Sequence, residues 1–243
     1  MATRMKHETP QTPPGADVKA VIAWLERTGT PAERDGMARY GLPSDRAFGI
    51  SVGSLQKEAK QLGKSHDLAA ALWDSGWYEA RLLACFVDEP ARVSAAQMDR
   101  WCRDFDNWGV CDTVCFHLFS YAPNVWPKVA KWAALKDEFS KRGAFALLWS
   151  LTVHDKAADD APFLHGLQLI EAAAGDARHF VKKGVDMALR ATAKRNAALH
   201  AASIAVAERL AAAGDATARW IGQHALREMK SASVVARLAK LQK

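Results

Sequence analysis

Cysteine is scarce in this 243-residue chain. Its four thiols, Cys85, Cys102, Cys111 and Cys115, are too few to hold a scaffold of this size together by disulfides. Cys111 and Cys115 stand one helical turn apart with His117 nearby, but two neighbouring thiols do not make a metal site. Ordinary buried thiols, with no metal, are the expectation. No uninterrupted apolar run approaches the length of a membrane span. The first ten residues carry positive charges with no hydrophobic stretch behind them, so they do not read as a secretion signal. Residues 1–15, with Pro10, Pro13, Pro14 and Gly15, read as a loose leader. Long alternating Val/Ile/Thr stretches that would build a sheet are missing as well. A cytoplasmic protein with no membrane partner is the simplest reading.

What is present is helix-forming. With 49 % hydrophobic residues, the chain has enough apolar material for a sizeable core. Residues 16–243 read as one domain of helices in short succession. Apolar periodicity marks Val18 to Leu25, Ser54 to Leu62, Ser65 to Trp73, Trp77 to Phe86, and the stretch from Ser94 to Trp101. Gly29 with Pro31 should stop the first, and the Pro90 and Pro123–Pro127 regions interrupt the pattern. Further runs cover Trp126 to Leu135, Ser140 to Val153, Leu167 to Ala174, Ala177 to Ala193, Ala198 to Ala212, Ala216 to Met229 and Ser231 to Leu241. That makes about twelve helices, recurring as pairs roughly every thirty to forty residues without a strict repeat. The fold class is all-α. Stacked pairs would make a curved solenoid, and a compact bundle fits the same periodicity.

Charge is uneven. Residues 1–120 carry 14 Lys/Arg and 16 Asp/Glu, whereas residues 121–243 carry 19 and 11, within an overall charge of +6. A basic second half attracts polyanions, and its scattered cations favour a folded charged face over a disordered arm. One helix shows this at residue level: Lys183, Met187, Arg190 and Lys194 follow three-to-four spacing, opposite Val181, Val185, Ala188 and Leu189. Three aligned cations suit a phosphate backbone, although any soluble helix face gives the same pattern. Arg142, near the start of a helix with Phe145, Leu148 and Trp149, is either a phosphate clamp or a surface or capping arginine.

Trp108 and Asp112 stand four residues apart in Trp101-Cys-Arg-Asp-Phe-Asp-Asn-Trp-Gly-Val-Cys-Asp112, so a helix puts indole and carboxylate on one face. Asp104 could extend that face by a turn. A flat apolar wall beside an anion suits a planar or cationic partner. A half-buried tryptophan beside a solvated aspartate has the same spacing. Tyr40, in Met37-Ala-Arg-Tyr40, offers a ring with a polar tip and also fits an ordinary inter-helix contact.

Together these segments resemble the AlkD-like DNA alkylation-repair glycosylases, a family built from HEAT-like helical repeats. Met37-Ala-Arg-Tyr40 resembles its segment with a groove-facing tyrosine, and Trp108-Gly-Val-Cys-Asp112 its Trp-x-x-x-Asp catalytic arrangement. Trp132 followed by Arg142 resembles the segment with a phosphate-contacting arginine. Phe180-Val-Lys-Lys, Leu189-Arg190 and Ala193-Lys194-Arg195-Asn196 resemble the next basic helix. The resemblance spans most of residues 18–230.

It implies a right-handed curved α-solenoid of stacked antiparallel HEAT-like pairs. It also implies a monofunctional hydrolase that cleaves the N-glycosidic bond of N3-alkyladenine and N7-alkylguanine in duplex DNA, without flipping the base into a deep pocket. Asp112 would stabilise positive charge on the deoxyribose and orient water, with Trp108 against the lesion-side sugar. Tyr40, Arg142, Lys183, Met187, Arg190 and Lys194 would contact DNA. No cofactor, metal or obligate protein partner is implied, and a monomer suffices. One departure stands out: Met187 occupies a position where the family has a functional tryptophan. It keeps open a noncatalytic HEAT-like DNA-binding protein, and beyond that a protein-interaction scaffold.

Overall fold

The computed structural model describes residues 17–241; the leader expected over residues 1–15 lies outside them. Among the described residues every regular element is helical, with fourteen α-helices and three short 3-10 turns. None of these helices is long and apolar enough to cross a membrane. The chain divides between Arg92 and Val93 into two compact units.

The first unit holds α1 (Val18–Thr28), α2 (Pro31–Gly36), α3 (Val52–Leu62), α4 (His66–Asp74) and α5 (Tyr78–Val87). Side-chain oxygens of Asp17, Thr30, Ser51 and Ser65 cap the starts of α1 to α4, satisfying amides that have no partner within the helix. Gly29 and Pro31 end α1 as expected. Pro31 also opens the short α2, which periodicity did not reveal, because a proline at the first helical position lacks only an N–H that the helix leaves unused. Trp24, Leu25, Leu55, Leu72, Trp73, Leu82 and Leu83 form the core. Glu79, fully buried on α5, accepts hydrogen bonds from the amides of Phe48 (2.9 Å), Gly49 (2.8 Å) and Ile50 (3.3 Å). One carboxylate thus fixes the loop before α3. Gly49 has φ +83°, and a Cβ there would lie 2.3 Å from the Thr30 carbonyl oxygen, so glycine is required on both counts.

The second unit holds α6 (Ala95–Arg103), α7 (Trp108–His117), α8 (Trp126–Ala133), α9 (Glu138–His154), α10 (Ala161–Ala173), α11 (His179–Thr192), α12 (Ala197–Ala211), α13 (Ala216–Met229) and α14 (Ala232–Leu241). Its centre is α9, which packs against α7, α8 and α11. Burial along α9 runs nearly all round the helix, from Ser140 through Leu148 to Thr152, where a surface helix would bury one stripe. Helices adjacent in sequence pack as pairs, α8 with α9 and α12 with α13, as the spacing suggested. Gly222 allows the second pairing: a Cβ there would sit 2.3 Å from the Ala211 backbone nitrogen. All four cysteines are buried free thiols.

Asp104 does not extend the Trp108 face. It is the C-cap of α6, and Asn107 starts a separate helix by accepting the Val110 amide at 2.9 Å. The helix expected from Leu167 begins at Ala161, with Pro162 accommodated in its first turn.

On α6, Asp99 accepts from Lys128 Nζ (2.7 Å), Lys131 Nζ (2.7 Å) and Trp132 Nε1 (2.9 Å), which join α6 to α8. Burial alone would raise its pKa, but the three donors outweigh burial and bring it down to about 2 from the ordinary 3.8. A carboxyl held low stabilises the fold above its unfolded pKa, and that contribution is lost as pH falls through the folded one. The Asp99→Asn variant is therefore expected to lose about 2 kcal/mol at neutral pH. It should also show a flatter decline in stability than wild type between pH 3.8 and about 2, as read by urea unfolding across that range.

Candidate active site

Because Asn107 caps α7, Trp108 is its first residue and Asp112 lies one turn further on the same face. Facing Asp112 from the second turn of α9 is Arg142. Its Nε donates to Asp112 Oδ1 at 2.9 Å and its Nη2 to Oδ2 at 2.6 Å, a two-point pairing of planar groups. Nη1 donates to the Phe180 carbonyl oxygen at 2.9 Å, near the start of α11. One guanidinium therefore ties three helices together. The Arg142 side chain is 7 % exposed and that of Asp112 is 16 %, so the carboxylate keeps the more open side.

The electrostatics of the two partners pull in opposite senses. Burial raises the Asp112 pKa above the ordinary carboxylate value, against the opposing pull of the Arg142 charge and hydrogen bonds. Burial works to lower the Arg142 pKa, but Asp112 outweighs it and the net shift is upward. A guanidinium stays protonated under any physiological condition, so protonation of Asp112 is what decides the state of the pair. The result is a desolvated carboxylate whose orientation is fixed before anything binds, and whose field is little screened by water.

One turn beyond Asp112, Phe116 packs against Trp149 of α9 (centroids 4.8 Å) and against His154 (4.4 Å). Tyr121, well exposed, also stacks on His154, with ring centres 4.5 Å apart. This aromatic run is not among the candidate residues the sequence offers. Its signal was Phe116 at four residues from Asp112, on the same face.

The basic helix is α11, with Val181, Val185, Ala188 and Leu189 buried as expected. Its cations differ in their surroundings. The Lys183 ammonium is exposed and lies 4.7 Å from the Trp220 ring centre, as does that of Lys182. Arg190 pairs with Asp186, Nε at 3.0 Å and Nη2 at 2.9 Å, and also with Glu228. Lys194 shares Glu228, and His224 Nδ1 lies 2.8 Å from Asp186 Oδ1. Asp186 is 1 % exposed. Trp220, His224 and Glu228 recur every fourth residue along α13 and meet α11 as a single face, a spacing visible in the sequence but not read there. Met187 is half-buried on α11. Tyr40, 70 % exposed, closes the 3-10 turn Met37–Tyr40 in the first unit.

These differences separate two residues that looked alike in sequence. Arg190→Ala strips the buried Asp186 of its guanidinium and is expected to lower unfolding free energy by about 3 kcal/mol. Lys183→Ala, losing a cation–ring contact at the surface, should cost no more than about 1 kcal/mol. Urea denaturation of the two variants side by side measures the contrast.

A solved structure described as a new family of proteins related to the HEAT-like repeat DNA glycosylases, with affinity for branched DNA structures, has the same fold. The superposition has a TM-score of 0.71 at 22 % identity and covers 79 % of this chain and 83 % of that one. No curated protein sequence matches this chain significantly. Residues 21–229 match the family model of DNA alkylation repair enzymes, a span that runs through both units and contains Tyr40, Trp108, Asp112, Arg142 and all of α11. With its all-helical HEAT-like fold and a family match across most of its length, the chain belongs to the DNA alkylation repair enzyme family.

Proposed function

We propose that this protein is a monofunctional DNA glycosylase. In this reading residues 16–243 act as one domain that hydrolyses the N-glycosidic bond of N3-alkyladenine and N7-alkylguanine in duplex DNA. The observation that carries it is Asp112: a carboxylate beside Trp108, fixed by two charge-assisted hydrogen bonds from Arg142, in a chain of the alkylation-repair family.

The substrate chemistry suits such a site. An alkylated purine already bears positive charge, so it departs as a neutral base when the C1′–N bond electrons move onto it. What needs stabilising is the positive charge left on the deoxyribose, and a prepositioned anion in a poorly hydrated place does that without reorganising. Water then adds at C1′ and gives up a proton to Asp112 or to solvent, leaving an abasic site and a free base. Trp108 excludes bulk water at the sugar. Arg142 orients Asp112 first, and its N–H groups not engaged by Asp112 or Phe180 take a neighbouring phosphate. Tyr40, Lys183, Met187 and Lys194 contact DNA, with Arg190 contributing mainly by holding the basic helix. No cofactor enters this chemistry, and a monomer in the cytoplasm is sufficient for it.

A second reading is a noncatalytic DNA-binding protein. It is favoured by Met187 at the position of a family tryptophan, since a thioether lacks the broad face and N–H of an indole. The affinity for branched DNA ascribed to the structural relative fits it too.

Chemically resolved release of free base from alkylated duplex DNA separates the two. Wild type is expected to release N3-alkyladenine or N7-alkylguanine, and folded Asp112→Asn protein to do so about a hundred- to a thousandfold more slowly while still binding duplex. Wild-type rates in the folded variant would reject Asp112 as the charge-stabilising group. Duplex binding without base release by wild type would favour the noncatalytic reading. Met187→Trp is expected to tighten binding to lesion-bearing duplex several-fold, by about the free energy of one added aromatic contact, as measured by anisotropy titration. Unchanged binding would show that Met187 lies outside the lesion contact.

A further inference from the structure

The second unit contains a pocket of about 630 Å³ that shares Lys194 with the DNA contacts proposed above and has no other part in that reaction. Trp149 and Val153 of α9 form one wall, and Lys156, Lys194, Arg195 and Arg237 surround it. The wall is stiff and apolar. Trp149 is backed by Phe116, and Val153 is 40 % exposed, one of few large aliphatic side chains open to solvent among the described residues.

Three of the four cations, Lys156, Arg195 and Arg237, carry no ion pair among the described residues. Arg195 is built into place by carbonyl oxygens, donating to Ala158 at 2.7 Å and Thr152 at 3.4 Å, with its guanidinium 4.2 Å from the Phe163 ring centre. Carbonyls orient the group without cancelling its charge. Lys156 and Arg237 are exposed and make no ion pair among the described residues, while Lys194 shares Glu228. The carboxylate in the lining, Asp160, is engaged by the Asn196 side-chain amide at 2.7 Å.

An apolar aromatic wall ringed by cations, one of them held in place, is an arrangement that suits single-stranded nucleic acid: a base or sugar lies on the apolar face while flanking phosphates meet the charges. The pocket has the volume of a small-molecule site, too small to admit a duplex. We propose that it seats an unpaired nucleotide of DNA, where a single strand leaves the duplex. This rests on the DNA-binding reading given above and adds a structural preference to it.

The test uses the full chain and fluorescence anisotropy at one salt concentration. One probe is a blunt duplex, and the other is the same duplex with a short single-stranded thymidine overhang. Wild type is expected to bind the overhang duplex at least about fivefold more tightly, the lower end of what one stacked base contributes. Lys156→Gln/Arg237→Gln and, separately, Val153→Asp should abolish that preference. Both should leave blunt-duplex affinity within about twofold and the melting temperature close to that of wild type, because these side chains are exposed and unpaired. Equal binding of both probes by wild type, or a preference that survives in both variants, would overturn the pocket assignment. Binding of neither probe by wild type would instead overturn the DNA-binding reading itself.

Discussion

Arg142 sits under a tight constraint: it is a charged side chain on a helix that is buried nearly all round. A guanidinium in such a place needs an anion and enough acceptors for its donors, because desolvating a charge costs several kcal/mol per ion. Asp112 supplies the anion from α7 and Phe180 the carbonyl from α11. The packing of α7, α9 and α11 is thereby set by the same contact that orients the proposed reacting carboxylate. Structural and chemical roles are not separable at this pair. A lone Asp112 would rotate and hydrate, and a lone Arg142 would be an uncompensated charge in the core.

Most of the helical framework was legible in the sequence, since alanine-rich runs with three-to-four apolar spacing and Ser, Asp or Asn caps leave little room for another state. The Trp108–Asp112 face was legible for the same reason. Where local pattern is the only guide, sequence and structure part. Asp104 looked like an extra turn of the Trp108 helix, and only the Asn107 cap shows that α6 has ended. Pro31 looked like a stop signal and is a start as well. The partnership of Asp112 with Arg142 joins residues thirty positions apart, and no helical period contains it.

The same limit explains the basic helix. Lys183, Arg190 and Lys194 form one stripe by spacing, yet their environments are set by α13, some forty residues later in the chain. Asp186 had no visible significance in the sequence. In the structure it is a buried acid that claims Arg190 and His224, so a residue that spacing makes a DNA contact is largely internal to the protein.

Glu228 has a consequence for how such a protein would search. By engaging both Arg190 and Lys194, it withholds part of the stripe's charge from passing phosphates. Nonspecific affinity for DNA grows with the number of phosphates neutralised, and so does the time spent on each undamaged stretch. On the proposed function, an acid placed among the cations shortens every unproductive encounter. The scanning speed of the enzyme would then be set on α13, by a side chain that takes no part in the chemistry.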